Sequence, residues 1–252
     1  MERVTGMFRV EVSVGAEVAQ RNPEVLVGAF LAEGVDRPAV AAAPVEGLVE
    51  DTRAALRAGG LTPETLAMNP CIADWRRAIR RSGLSASRWR GSAEQLVRRY
   101  LKGEAFSASH ALVIAYCAFS ARRVAPLGVY DLARLPEPRI ELRAWRSGDR
   151  YDPIGATAED FRFGGELIVY ASGTELLSVG WNVRDSTRTC LTAGTSVALI
   201  VGEAVSRIQH DACRAALGDT AAWLATHGAK VGAIQLVDAT HRTTIAELVR
   251  RP

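Results

Sequence analysis

Much of what usually betrays a chemistry is missing from this chain. Its four cysteines, Cys71, Cys117, Cys190 and Cys213, lie far apart with no C-x-x-C pair. That spacing argues against a zinc site or a disulfide framework and fits free thiols in a reducing compartment. No Gly-rich phosphate loop, nucleophile elbow or metal-ligand spacing occurs, so neither cofactor nor metal is expected. No apolar run approaches the length of a membrane span and no signal peptide opens the sequence, so no membrane partner is expected and a cytoplasmic location is. Lysine is scarce and never clustered. The net charge of +3 comes from scattered arginine, which permits RNA contact without indicating it. Internal repeats and low-complexity stretches are absent too.

What is present is a core. Of 252 residues, 48% are hydrophobic, enough for a globular chain rather than a disordered one. Phe8 to Val14 alternates as a half-buried strand, and Val25 to Leu31 is a near-continuous apolar run that predicts a more central one. Helical spacing marks Pro44 to Ala58, stopped by Gly59-Gly60, and Cys71 to Ser82. Arg76, Arg77, Arg80 and Arg81 lie on the polar face of the latter, either as a solvated surface or as a track for a phosphate backbone. Ser92 is a fitting N-cap for a helix over Ala93 to Leu101, and an apolar helix should run from Ser109 to Arg122. Then the character changes. Strands are predicted at Ile140–Trp145, Glu166–Tyr170, Glu175–Val179, Val197–Val201 and Val231–Val237, with a tight turn at Ser172-Gly173 and a long helix from Ala204 to about His227. The order predicts an α+β fold over residues 1–252, a mixed sheet packed on a buried helix and flanked by others.

The most informative stretch is Gly180 to Glu203. It opens as a polar turn and ends as an apolar strand delivering Glu203 at its tip. Arg184 and Arg188 can each fork onto a carboxylate or phosphate; Thr189, Thr192 and Thr195 offer hydroxyls; Glu203 can hold an ammonium or move a proton. Together they suit a small zwitterion, and the competing reading is a solvated loop with internal ion pairs.

An ordered succession of motifs carries a resemblance. These are Cys71-x-x-x-Trp75, Ser87-x-x-Arg90-x-Ser92 with Leu96 and Arg98-Arg99, Lys102-Gly103, Pro126-Leu127-Gly128-Val129-Tyr130-Asp131, and the run from Trp181-Asn182-x-Arg184-Asp185 through Arg188-Thr189 to Thr192 and Thr195. The succession, over roughly residues 65–205, resembles the B3/B4 domain that, in the beta subunit of phenylalanyl-tRNA synthetase, hydrolyses mischarged aminoacyl-tRNA; free-standing bacterial relatives exist. The resemblance implies an amino-acid cavity lined by Ser109 and His110, the turn Gly128 to Asp131 with Tyr130, the hydroxyls of Thr189, Thr192 and Thr195, and Glu203, with Trp181 as a wall. Asp131 is also read as a structural corner. Free-standing relatives usually carry asparagine at the places of His110 and Cys117. A histidine there titrates near neutrality, so His110 is either a structural residue or, with Glu203, an acid–base pair. Three functions follow as expectations: trans-editing of mischarged aminoacyl-tRNA, with tRNA as partner; condensation of a free aromatic amino acid with an aldehyde or keto acid, of Pictet–Spengler type; or a non-catalytic aminoacyl-binding module.

Overall fold

The computed structural model describes residues 6–104, 108–161 and 163–249. In chain order the first half runs β1 (Met7–Val14), α1 (Ala16–Arg21), β2 (Leu26–Glu33), α2 (Pro38–Ala41), α3 (Glu46–Ala58), α4 (Pro70–Arg81), α5 (Ser92–Leu101) and α6 (Ala111–Arg123). The second half runs β3 (Leu127–Asp131), β4 (Arg139–Ala144), β5 (Ile168–Ser172), β6 (Glu175–Val179), β7 (Arg184–Asp185), β8 (Val197–Ala204), α7 (His210–Thr226), β9 (Lys230–Val231), β10 (Gln235–Asp238) and β11 (Thr243–Val249).

The expected α+β class holds, but the strands form two sheets rather than one. The larger has the order β11-β1-β4-β5-β6-β7 and is mixed, because β1 and β4 pair in parallel. The smaller has the order β10-β2-β8-β3, with β9 also paired to β2. Its middle strands, β2 and β8, are buried almost throughout. Both faces of this sheet are covered, so both faces of its strands must be apolar, which is why their sequences read as continuous apolar runs.

Side-chain parity along β8 then fixes what meets what. Ala198, Ile200 and Ala204 pack with Leu112, Ala115 and Phe119 of α6 and with Ala216, Leu217 and Leu224 of α7. Leu199 and Val201 face the opposite way, into a layer shared with Val10, Val12 and Val14 of β1, Ile168 and Tyr170 of β5, and Trp75 of α4. Each fully buried Leu, Ile or Phe in these layers contributes roughly 1.5–3 kcal/mol. Glu203 has the parity of Leu199 and Val201. It therefore points between the two sheets, the last place a lone carboxylate belongs on packing grounds.

Three local expectations are corrected. Gly128 to Asp131 is not a turn but most of strand β3, antiparallel to β8. Ser92 is not the N-cap of α5; Gly91 holds that position and Ser92 begins the helix. The last long helix begins at His210, six residues later than expected, because Ala204 still belongs to β8 and a short 3-10 turn intervenes. Among the described residues no helix is long and apolar enough to cross a membrane.

Candidate functional site

Glu203 lies at the floor of a narrow pocket of about 20 Å³, room for a single water, lined among others by Ser92, Gly128, Tyr130, Tyr170, Trp181, Asn182 and Asp185. Each wall comes from a different element. Tyr130 stands on β3 two residues from Gly128, so the two share a face. Its ring folds back so tightly that a Cβ at Gly128 would sit 2.6 Å from the Tyr130 hydroxyl. Only glycine leaves room for that ring.

Tyr170, on β5 of the opposite sheet, donates its hydroxyl to Glu203 Oε2 at 2.6 Å, and Asn182 Nδ2 donates to Glu203 Oε1 at 2.6 Å. Asn182 is itself fixed, because its Oδ1 accepts from the backbone N–H of Ser92 at 3.0 Å. Those bonds set the amide's orientation and tie the start of α5 to the floor. Asp185, from the short strand β7, accepts from the Tyr130 hydroxyl at 3.3 Å.

The turn that carries Trp181 and Asn182 is unusual. Gly180 (φ 64°) and Trp181 (φ 69°) both adopt the left-handed conformation. For a bulky residue this costs on the order of 1–3 kcal/mol, which the surroundings must offset. Here Trp181 is buried edge-on against Trp75, ring centroids 5.8 Å apart. Trp181 also lines a second, larger cleft on its other side, with Arg21, Asn22, Arg81, Ser82 and Glu166.

No arginine or lysine forms an ion pair with Glu203 or Asp185 among the described residues. Burial pushes Glu203 up to about 7, against the pull of Tyr170 and Asn182 and with help from the charge of Asp185. Burial likewise lifts Asp185 to about 6, against the hydroxyls of Ser178 and Tyr130 and the charge of Arg184. Two carboxylates that titrate near neutrality in one cavity can hold a cation, share a proton, or divide into an acid and a base.

Ser92, Leu127, Asn182 and Asp185 also belong to an outer cleft of about 200 Å³, where Leu96, Arg99, Tyr116, Cys117, Ile154 and Arg184 join them. Arg184 Nε is buried with no hydrogen-bond partner, an unspent donor at this mouth. Cys117 is no nucleophile in waiting, since burial pushes its thiol up to about 12.

Of the residues singled out in the sequence, the structure brings Gly128, Tyr130, Trp181 and Glu203 to the inner cavity and Arg184 to its mouth. It takes the others elsewhere. Arg188 pairs with Glu175 at 2.5 Å, on the far side of β7. Thr195 Oγ1 donates to Asp131 Oδ2 at 2.7 Å and accepts from the Thr192 N–H at 2.9 Å. The Thr189 carbonyl accepts from the Asp131 N–H at 2.9 Å. The Thr195 hydroxyl and the Thr189 backbone thus tie this loop to the end of β3, with Asp131 as the structural corner, while the buried Thr189 hydroxyl has no hydrogen-bond partner. Ser109 is exposed and lines neither space.

His110 is not brought to Glu203. It caps α6: Nδ1 accepts from the Leu112 N–H at 3.2 Å, so Nε2 carries the proton and donates to the Val35 carbonyl at 3.0 Å. Burial lowers its pKa, outweighing the opposing effects of that bond and of Asp36. Both nitrogens are occupied and the ring is held neutral. Sequence reasoning assigned no role to Tyr170, Asn182 or Asp185. Asn182 and Asp185 stood in the quoted Trp181-to-Asp185 motif, whereas Tyr170 meets Glu203 only across the sheets.

No protein-family model matches the sequence, and no curated protein matches it. Among solved structures, the N-terminal fragment of the phenylalanyl-tRNA synthetase beta subunit from Pyrococcus horikoshii matches 88% of this chain with a TM-score of 0.44 and 14% identity. The alignment takes in 50% of that fragment's length. A likeness this distant carries no argument about chemistry, which rests on the geometry of the cavity alone.

Proposed function

We propose that this chain binds an aminoacyl group with its ammonium reaching into the narrow Glu203 pocket and its bulk in the adjoining outer cleft, and hydrolyses the ester that joins it to a larger carrier, as in trans-editing of aminoacyl-tRNA. One observation carries the proposal. Glu203 is a buried carboxylate at a cavity floor with two hydrogen-bond donors and no cationic partner. A carboxylate taken out of water without a counter-charge is costly, and an ammonium from a ligand supplies that charge. Tyr170 and Asn182 aim the carboxylate; Leu96, Leu127, Ile154 and Val183 of the outer cleft offer apolar wall to a side chain.

In this scheme Asp185 is the base. Water held at Asp185 attacks the ester carbonyl, its proton passes to the carboxylate, and the alcohol leaves with a proton from the same group. A base that titrates near 6 is mostly ionised at neutral pH and needs little further activation. Arg184 at the mouth is placed for negative charge on the carrier side.

The test is single-turnover deacylation of aminoacyl-tRNAs by the parent chain and by Asp185→Asn. The variant should lose roughly 10²- to 10⁴-fold in rate, the range for removing a general base. The acidic limb of the parent's profile should lie near pH 6. Equal rates and profiles in both proteins would sink the proposal. The apolar outer cleft favours a second reading, in which a free aromatic amino acid sits on Glu203 and an aldehyde or keto acid occupies that cleft for condensation. Turnover of this pair, with aminoacyl-tRNA left intact, would select it.

A further inference from the structure

We propose that the open cleft bounded by Arg134, Arg150 and Arg188 is a second binding site, distinct from the Glu203 cavity, for a phosphate attached to a hydroxyl-bearing sugar. The cleft has a volume of about 550 Å³ and shares no lining residue with the outer cleft; Asp152, Glu175 and Thr187 stand in its walls. Its organising group is Glu175, whose side chain is only 6% exposed. Glu175 Oε1 lies 2.5 Å from Arg188 Nε and Oε2 lies 3.4 Å from Arg150 Nε, both ion pairs without hydrogen-bond geometry.

The manner of these contacts matters more than their number. Two arginines show the consuming alternative: Arg143 puts both terminal nitrogens on Asp149 at 2.8 and 2.7 Å, and Arg123 sets a fork on Asp219. At Glu175 each arginine makes an ion pair and spends no hydrogen bond on the carboxylate. The terminal nitrogens of Arg150 and Arg188 have no hydrogen-bond partner among the described residues, and the side chains, 63% and 50% exposed, line the cleft. One buried carboxylate thus steadies two forks without consuming them. Steadied forks lose less entropy on gripping an anion than free ones do. Arg134 also lines the cleft, its Nη1 making a long contact with the Cys190 carbonyl at 3.5 Å.

Charge and polarity set the ligand class. Three guanidiniums against Glu175 and Asp152 leave a surplus of one positive charge, which suits a phosphate. Asp152 does not, since it would repel one. It accepts from the Thr187 hydroxyl at 2.6 Å and retains acceptor capacity. An acceptor beside a phosphate grip matches a sugar hydroxyl. Two sources share that chemistry, a mononucleotide and a stretch of RNA.

The probes are adenosine 5′-monophosphate, followed by calorimetry, and a fluorescent single-stranded RNA of twelve nucleotides, followed by anisotropy at several salt concentrations. The variants are Arg134→Gln, which leaves both Glu175 ion pairs intact, and the double Arg134→Gln/Arg150→Gln. The double variant should bind at least tenfold more weakly and show a shallower salt dependence with RNA, by up to about 1.4 in log–log slope for two lost phosphate contacts. Arg134→Gln alone should fall part of the way. Loss with both probes identifies a nucleotide site; loss with RNA alone identifies a strand contact. Failure of the parent to bind either probe, or less than a twofold change in the double variant with both, overturns the proposal. Free amino-acid binding, measured in the same proteins, reports on the Glu203 cavity separately, so either site can fail without the other.

Discussion

Glu94 and Glu203 are equally buried, 2% and 3% exposed, yet the chain treats them in opposite ways. Arg76 grips Glu94 bidentately at 2.8 and 2.5 Å, and Arg90 and Arg98 approach it at 3.5 Å. Glu203 receives a tyrosine hydroxyl and an asparagine amide, with Asp185 as a neighbouring acid. The contrast separates two uses of a buried carboxylate. One joins α4 to α5 as a structural node; the other keeps a charge in want of a partner, which is the property of a site.

The contrast breaks most visibly if the node is removed. Glu94→Gln leaves three guanidiniums facing no counter-charge. Full burial would cost 3–5 kcal/mol; because these arginines reach solvent, the expected loss is about 2–3 kcal/mol, read from denaturant midpoints. Below about pH 5, where Glu203 is protonated in the fold, Glu203→Gln should change stability by less than about 1 kcal/mol: its amide oxygen still accepts from Asn182, and the Tyr170 hydroxyl can turn to accept from the new NH₂. A similar loss in both variants would erase the distinction.

The next effect is on pH. Glu203 and Asp185 have folded pKa values raised above their unfolded ones, so the folded state binds more protons between roughly pH 4 and pH 7. Their stabilising contribution is full below the unfolded pKa values and is lost as pH rises through about 6 and 7. Stability should therefore decline across this window, by on the order of 2–3 kcal/mol after other groups are allowed for. Thermal melts at successive pH values measure it, and Glu203→Gln should flatten the upper part. A parent whose stability rises from pH 5 to pH 7 would contradict the picture of unpaired acids.

Ligand binding sharpens the comparison further. Glu203→Gln should weaken an ammonium-bearing amino acid by about 1.5–3 kcal/mol, by calorimetry at neutral pH. Affinity in the parent should climb as Glu203 ionises through about pH 7. The smallest effect is at His110. Asparagine is a good N-cap, so His110→Asn should cost no more than about 1 kcal/mol, mostly from the lost Val35 contact. It should leave rate and pH profile unchanged; a large rate loss would return His110 to the chemistry.

The sequence made the frame legible where one force dominated. Continuous apolar runs announced β2 and β8, and parity along β8 was already enough to send Glu203 the way of Val201. It hid what depended on contacts distant in the chain. Strand β3 passed for a turn because Pro126 and Gly128 punctuate it, whereas Gly128 is there to seat the Tyr130 ring. Strand β11, Thr243–Val249, went unread because half its residues face outward. Tyr170 lies 33 residues before Glu203 and meets it only when two sheets stack. The threonines and Arg188 looked like ligand groups by type alone, and type does not say whether a hydroxyl is needed by its own loop.

Trp181 lines both the Glu203 cavity and the cleft beside Arg21, Arg81 and Glu166. Its indole is therefore a septum, held across the molecule by a backbone shape that few residues tolerate. A septum made of one side chain is cheap to breach: a smaller residue at this position would turn a blind chamber into a corridor, open to water from behind. The same strained turn carries Asn182, which aims Glu203. Sealing the chamber and orienting its acid are thus a single inheritance, and neither can drift without the other.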